Sequence, residues 1–150
     1  TIPARLTNRP RIRYEGIMKA LVVDDCMLTR EMLAMALENY AACVDRAENG
    51  ADAVRMVTDA LDSEQPYDLI CMDLNMPEMT GNEALRLIRC NEEHKGAAFR
   101  SKAFMITSSS SPDDMMEALL SGDCDDYLTK PVMLKTFAEL LHKHGFLGAS

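Results

Sequence analysis

Three aspartates, a threonine and a lysine in this 150-residue chain each stand where a short apolar run gives out. Asp24 and Asp25 follow Ala20-Leu21-Val22-Val23, Asp73 follows Leu69-Ile70-Cys71-Met72, Thr107 follows Ala103-Phe104-Met105-Ile106, and Lys130 follows Asp126-Tyr127-Leu128-Thr129. Taken singly, each has an ordinary role, since a strand-end Asp caps helices and a strand-end Thr makes turns. Brought to one rim, they would make a site. Three clustered carboxylates cannot all stay ionised without compensation. A hard dication supplies it: Mg²⁺ takes oxygen ligands, keeps several waters, and is satisfied by two or three carboxylates plus a backbone carbonyl. With Lys130 added, the charges balance. Such a site suits a phosphoryl group, whose oxygens the metal and the ammonium neutralise while a carboxylate attacks in line.

The elements that must position these groups alternate five times between β-rich runs and helix-period segments. The remaining run is Val44-Asp45-Arg46-Ala47, and helices are predicted at about 27–39, 50–61, 80–91, 112–121 and 132–144. The first, third and fourth runs are nearly all apolar, as strands covered on both faces are. The second and fifth are more polar and suit sheet edges. Leu33, Ala36, Leu37 and Tyr40 would share one face of the first helix. Thr80 and Glu83 have capping-box spacing, Ser111-Pro112-Asp113-Asp114 is a helix start, and Gly145 is a C-terminal stop. This alternation implies right-handed βαβ crossovers and a doubly wound α/β fold. In such sheets ligands bind beyond the carboxyl ends of the strands, where these five groups stand.

The net charge of −8 is unevenly spread. Residues 1–19 hold five basic groups against one acidic, whereas residues 20–150 hold 11 against 23. The acidic body would repel phosphate backbones, so no direct nucleic-acid contact is expected. Residues 1–17 read as a flexible basic arm and 146–150 as a tail. The five cysteines (26, 43, 71, 90 and 124) lack zinc or disulfide spacing, and buried reduced thiols in a cytoplasmic protein are expected. No apolar run reaches membrane-spanning length.

The chain resembles, over about residues 18–145, the receiver domain of two-component response regulators, including the single-domain chemotaxis type. The resemblance is carried by Val23-Asp24-Asp25, by Asp73-Leu74-Asn75-Met76-Pro77-Glu78-Met79-Thr80-Gly81, by Ile106-Thr107-Ser108, and by Tyr127-Leu128-Thr129-Lys130-Pro131. It implies a flavodoxin-like three-layer αβα domain with five parallel strands in the order 2-1-3-4-5. Asp73 matches the phosphoacceptor, Asp25 and Asp24 match Mg²⁺ ligands (the latter largely through water), and the carbonyl of Asn75 matches the third protein ligand. Thr107 matches the switch hydroxyl, Lys130 the lysine that pairs with the phosphoryl group, and Tyr127 the aromatic that reports activation. Asn75 and Ser109 match positions that tune dephosphorylation, and Lys130–Pro131 is expected to be cis.

The implied protein is a signalling switch that catalyses only its own phosphorylation and slow autodephosphorylation. Its donor would be a phosphohistidine on a sensor histidine kinase or a histidine phosphotransfer protein. Its output would be an effector or a self-dimer engaged through residues 112–144, including Met115, Met116, Tyr127 and Lys135. Three departures bear on lifetime and contacts: Asp123 stands where the family has Gly, with Gly122 one earlier; Ser108 replaces a common Ala; and the connector around 91–102 is long. A haloacid-dehalogenase-type phosphatase would need an acid where Asn75 stands. An FMN binder would need a phosphate loop where Asp24-Asp25 stands.

Overall fold

A computed structural model describes residues 18–40, 43–96, 99–108 and 112–146, the side chains of 112, 114, 115 and 118 excepted. The elements run β1 (Lys19–Val23), α1 (Met27–Glu38), β2 (Cys43–Ala47), α2 (Gly50–Asp62), β3 (Leu69–Asp73), α3 (Gly81–His94), β4 (Lys102–Thr107), α4 (Pro112–Leu120), β5 (Asp126–Thr129) and α5 (Leu134–Lys143). The strands form one parallel sheet in the order β2-β1-β3-β4-β5.

Side chains alternate across a strand, and each central strand divides its residues between two cores. Leu21, Val23, Ile70, Met72, Ala103 and Met105 pack against α2 and α3. Ala20, Val22, Leu69, Cys71, Phe104 and Ile106 pack against α1 and α5, whose Leu33, Leu37, Phe137 and Leu141 are fully buried. Strand β3 is buried at every position, whereas β2 and β5 are partly exposed, as edge strands are.

Local signals set the helix ends. Asn49 caps α2 by accepting from Asp52 N at 2.8 Å. Thr80 and Glu83 form a reciprocal capping box on α3. Gly145, with φ of 81°, ends α5 in a Schellman turn: its N–H donates to His142 O at 3.0 Å, and Phe146 N–H donates to Leu141 O at 2.9 Å. Gly122, with φ of 77°, closes α4, so the shifted glycine of this family position still does the turn. Helix α4 begins at Pro112; the cap expected from Ser111 lies outside the described residues, as do the arm 1–17, Ser109 and residues 147–150 of the expected tail 146–150, whose Phe146 is buried in the core.

The structure corrects three expectations. Tyr40 is 38% exposed, because α1 ends at Glu38 and Tyr40 lies beyond its cap, off the helical period. Helix α5 starts at Leu134, with Met133 as its extended N-cap residue. Cys26, Cys43 and Cys90 are exposed, standing at a helix start, an edge-strand start and the outer face of α3; only Cys71 and Cys124 are buried.

The C-terminal turn of α3 runs three residues past the predicted end because polar partners hold it. Arg89 donates to Glu92 Oε1 and Ser101 O at 2.8 Å each and to Asp123 O at 2.9 Å, and it pairs with Asp125 at 3.3 Å. Glu92 Oε2 accepts from Ser101 N at 2.9 Å, and Asp125 Oδ2 accepts from Ala103 N at 2.8 Å. This largely buried network ties α3 to the approaches of β4 and β5.

Candidate functional site

Parallel register delivers the predicted groups to one edge. Asp24 follows β1 directly, Asp73 ends β3, Thr107 ends β4 and Lys130 follows β5. Asp24, Asp25 and Asp73 offer carboxylate oxygens all within 4.8 Å of one another. Lys130 Nζ completes the cluster, 3.2 Å from Asp24 Oδ2 and 3.4 Å from Asp73 Oδ1. Thr107 is fully buried, and its carbonyl accepts from Lys130 N at 2.7 Å, so the hydroxyl-bearing and ammonium-bearing residues are stitched together. Asn75 N–H donates to Asp73 Oδ1 at 3.2 Å, which turns the chain back over the acid. Tyr127 is exposed and the Lys130–Pro131 bond is cis. Ser109 lies outside the described residues.

Asp24 is buried but held from several sides. Its N–H donates to Ala47 O at 3.2 Å, its carbonyl accepts from Arg30 at 2.9 Å, and Oδ1 accepts from Cys26 N at 2.8 Å. Its Oδ2 is buried without a hydrogen bond and has the Lys130 ammonium 3.2 Å away as its ionic neighbour. A buried carboxylate oxygen left short of partners is costly. Burial and the neighbouring Asp24 charge push the Asp73 carboxyl up to about 7, with Lys130 and the Asn75 N–H working the other way. Burial disfavours the Lys130 ammonium, but Asp73 and Asp24 outweigh it and hold it above its ordinary value. The protein's own cation therefore does not fully compensate the acids. A buried carboxylate oxygen without a hydrogen bond, an all-oxygen donor set and residual negative charge fit a hard divalent ion.

Sequence reasoning passed over one residue that shapes the site and met a second only inside a motif. Arg30, buried in α1, braces the Asp24 carbonyl, and nothing in its surroundings in sequence marks it out. Gly81 was legible only as part of a motif. A Cβ there would stand 2.4 Å from Asp73 O and 2.9 Å from Leu74 Cα, so α3 starts directly against the backbone of the acid-bearing strand. Because the obstruction is backbone, Gly81→Ala is expected to cost about 1–3 kcal/mol, read as a lower denaturant midpoint. An unchanged midpoint would mean that α3 simply shifts.

Comparison with known proteins agrees with this geometry. Residues 20–142 match the model of the response regulator receiver domain. A probable histidine kinase 2 of Oryza sativa subsp. indica is 35% identical over 134 residues; the match takes in 83% of this chain and 12% of the kinase's length. Among solved structures, the receiver domain of Saccharomyces cerevisiae Ssk1, crystallised with the histidine phosphotransfer protein Ypd1, is 32% identical with a TM-score of 0.73, covering 85% of this chain and 88% of that one. The receiver domain of the Arabidopsis thaliana histidine kinase CKI1, complexed with Mg²⁺, is 27% identical with a TM-score of 0.75, covering 85% and 91%. The chain belongs to the response regulator receiver domain family, a family of two-component signalling switches. Among the described residues no helix is long and apolar enough to cross a membrane.

Proposed function

We propose that the chain is a phosphorylatable switch in which Asp73 accepts a phosphoryl group from a phosphohistidine on a sensor kinase or a phosphotransfer protein. The observation that carries this reading is the convergence of Asp24, Asp25 and Asp73 within 4.8 Å, with Lys130 beside two of them. An Asp73 carboxylate oxygen attacks phosphorus, the P–N bond breaks, and its electron pair returns to the imidazole. Lys130 favours the anionic, nucleophilic form of Asp73 against burial and the Asp24 charge, and offsets charge on the phosphoryl oxygens. Asp24, Asp25, Asp73 and the Asn75 carbonyl would hold Mg²⁺, which when bound supplies the further positive charge that the transferring group needs. The protein is its own substrate, so turnover is confined to this uptake and a slow hydrolytic loss. Cysteines without disulfide partners suit the cytoplasm.

The direct test is incubation with Mg²⁺ and a small phosphodonor: one phosphoryl group should be gained, labile to hydroxylamine, and metal-independent uptake would overturn the reading. Switching is tested apart from chemistry. Thr107 and Lys130 are continuous with α4, β5 and α5, on which the described Met116, Tyr127 and Lys135 are exposed. Phosphorylation should draw Thr107 toward the phosphoryl oxygen and let Tyr127 turn inward, a two-state element that an effector or a second copy also biases. Beryllium fluoride should therefore shift amide resonances through 112–135 in the wild type. In Thr107→Ala it should shift the metal site alone. An undiminished response of 112–135 in Thr107→Ala would end the switch assignment.

A further inference from the structure

Arg30 lies in the first turn of α1, and helical side chains slant back toward the helix N-terminus. Its long stem therefore reaches over the bend between β1 and α1. The residue is buried, and its Nη1 donates to the Asp24 carbonyl at 2.9 Å. Its ion pairs are longer: Glu48 Oε1 lies 3.6 Å from Nη2 and Glu31 Oε2 lies 3.9 Å from Nε, both on side chains open to solvent. Glu31 is also engaged by Arg46, at 2.9 Å. Long, exposed pairs of this kind contribute little. The close partner of this buried cation is thus a backbone carbonyl within the acid pair.

We propose that Arg30 is a positioning residue for Mg²⁺: by holding the Asp24 carbonyl it fixes the peptide that joins Asp24 to Asp25, and with it the directions in which the two carboxylates meet the ion. The proposal rests on Asp24 and Asp25 being metal ligands. Asp24 is held elsewhere too, its N–H donating to Ala47 O at 3.2 Å and its Oδ1 accepting from Cys26 N at 2.8 Å. Asp25 has less to steady it, being exposed in the bend itself. A planar peptide turns as one unit about the soft torsions that flank it, so a tilt of the 24–25 plane swings the whole of Asp25. Mg²⁺ demands near-octahedral geometry and tolerates little misdirection of its oxygen ligands. The charge of Arg30 works the other way, since a fixed cation repels a dication. A purely electrostatic role therefore predicts tighter Mg²⁺ binding once the guanidinium is removed, whereas positioning predicts weaker binding. The sign of the change separates the two.

The test is the Mg²⁺ dissociation constant, read by calorimetric titration beside a thermal melt of each variant. In Arg30→Met, which keeps the stem and its packing, the dissociation constant should rise about 10–100-fold, the usual cost of losing a group that orients metal ligands without touching the ion. Arg30→Lys keeps the charge, but its ammonium ends one bond short of the guanidinium nitrogens, so it too should bind Mg²⁺ more weakly than wild type. Phosphoryl uptake by both variants should recover at saturating Mg²⁺, because Asp73 and Lys130 are untouched. Mg²⁺ bound by a folded variant as tightly as by wild type, or more tightly, overturns the positioning role even if the melt is lowered. Uptake that stays low at saturating Mg²⁺ overturns it as well. Should Arg30→Met fail to fold, Arg30→Lys decides alone. A wild-type chain that binds no Mg²⁺ instead overturns the assignment of the acids as metal ligands, and the role of Arg30 falls with it.

Discussion

Asp73→Asn is expected to take up no phosphoryl group, a loss of more than about 100-fold against wild type, because an amide oxygen is no nucleophile at phosphorus here. The substitution preserves shape. Asp73 is buried among Asp24, Asp25 and Lys130, and an amide removes one negative charge from an over-acidic cluster whose burial already holds that carboxyl near neutrality. The variant should therefore fold at least as stably as wild type, so its inertness cannot be laid to unfolding. Asp25→Ala should differ: the nucleophile survives, but Mg²⁺ affinity and phosphorylation should fall together. Incorporation of label by Asp73→Asn, mapped by mass spectrometry to another residue, would sink the assignment.

Arg89→Ala should be the most damaging single change outside the pocket, at about 3–5 kcal/mol. The side chains of Arg89 and Glu92 are 6% and 5% exposed and lie 2.8 Å apart. Removing the guanidinium leaves the Glu92 charge buried with only the Ser101 N–H, and takes from the Ser101 carbonyl the donor that Arg89 had supplied, while the Asp123 carbonyl keeps only Arg100 at 3.3 Å. For a domain of this size that loss corresponds to roughly 6–20 °C in Tm. Arg89→Lys cannot reproduce a fork that reaches four acceptors and should recover only part of it. Removing Glu92 as well, in Arg89→Met/Glu92→Gln, should recover more, since no unpaired charge remains. An Arg89→Ala variant melting within about 3 °C of wild type would show that water compensates these groups.

What the sequence made legible and what it hid follow from the range of the interactions. The buried strands announce themselves locally: Leu69-Ile70-Cys71-Met72 is apolar at every position, and each of its residues is buried. Spacing along the chain then places Asp24, Asp25, Asp73, Thr107 and Lys130 at one edge, because a parallel sheet aligns all carboxyl ends. The Thr80–Glu83 capping box and the Gly145 stop are equally local. By contrast, Arg89 finds Asp123 and Asp125 at separations of 34 and 36 residues, and no periodicity connects them. That is why the last turn of α3, a polar stretch without an apolar period, was not foreseen. The bond from Asn75 to Ser108 spans 33 residues and depends on β3–β4 register, which the sequence does not state. The clash that a Cβ at 81 would meet is with backbone, and backbone leaves no mark in residue identity.

Both ends of the described domain leave it from the same side. Met18 stands at the amino-terminal edge of the sheet, its carbonyl accepting from Cys43 N at the start of β2. At the other end, His144 pairs with Asp126, the first residue of β5, and Phe146 packs its ring against Phe104. The carboxylates occupy the opposite, carboxyl-terminal edge. Polypeptide joined before residue 18 or after residue 146 therefore departs from the pole remote from the acid pocket. A domain wired in this way can be strung into a far longer chain, on either side or on both, with its reactive face still turned outward to whatever docks there. The same unit suits a tethered existence and a solitary one without any change in its chemistry.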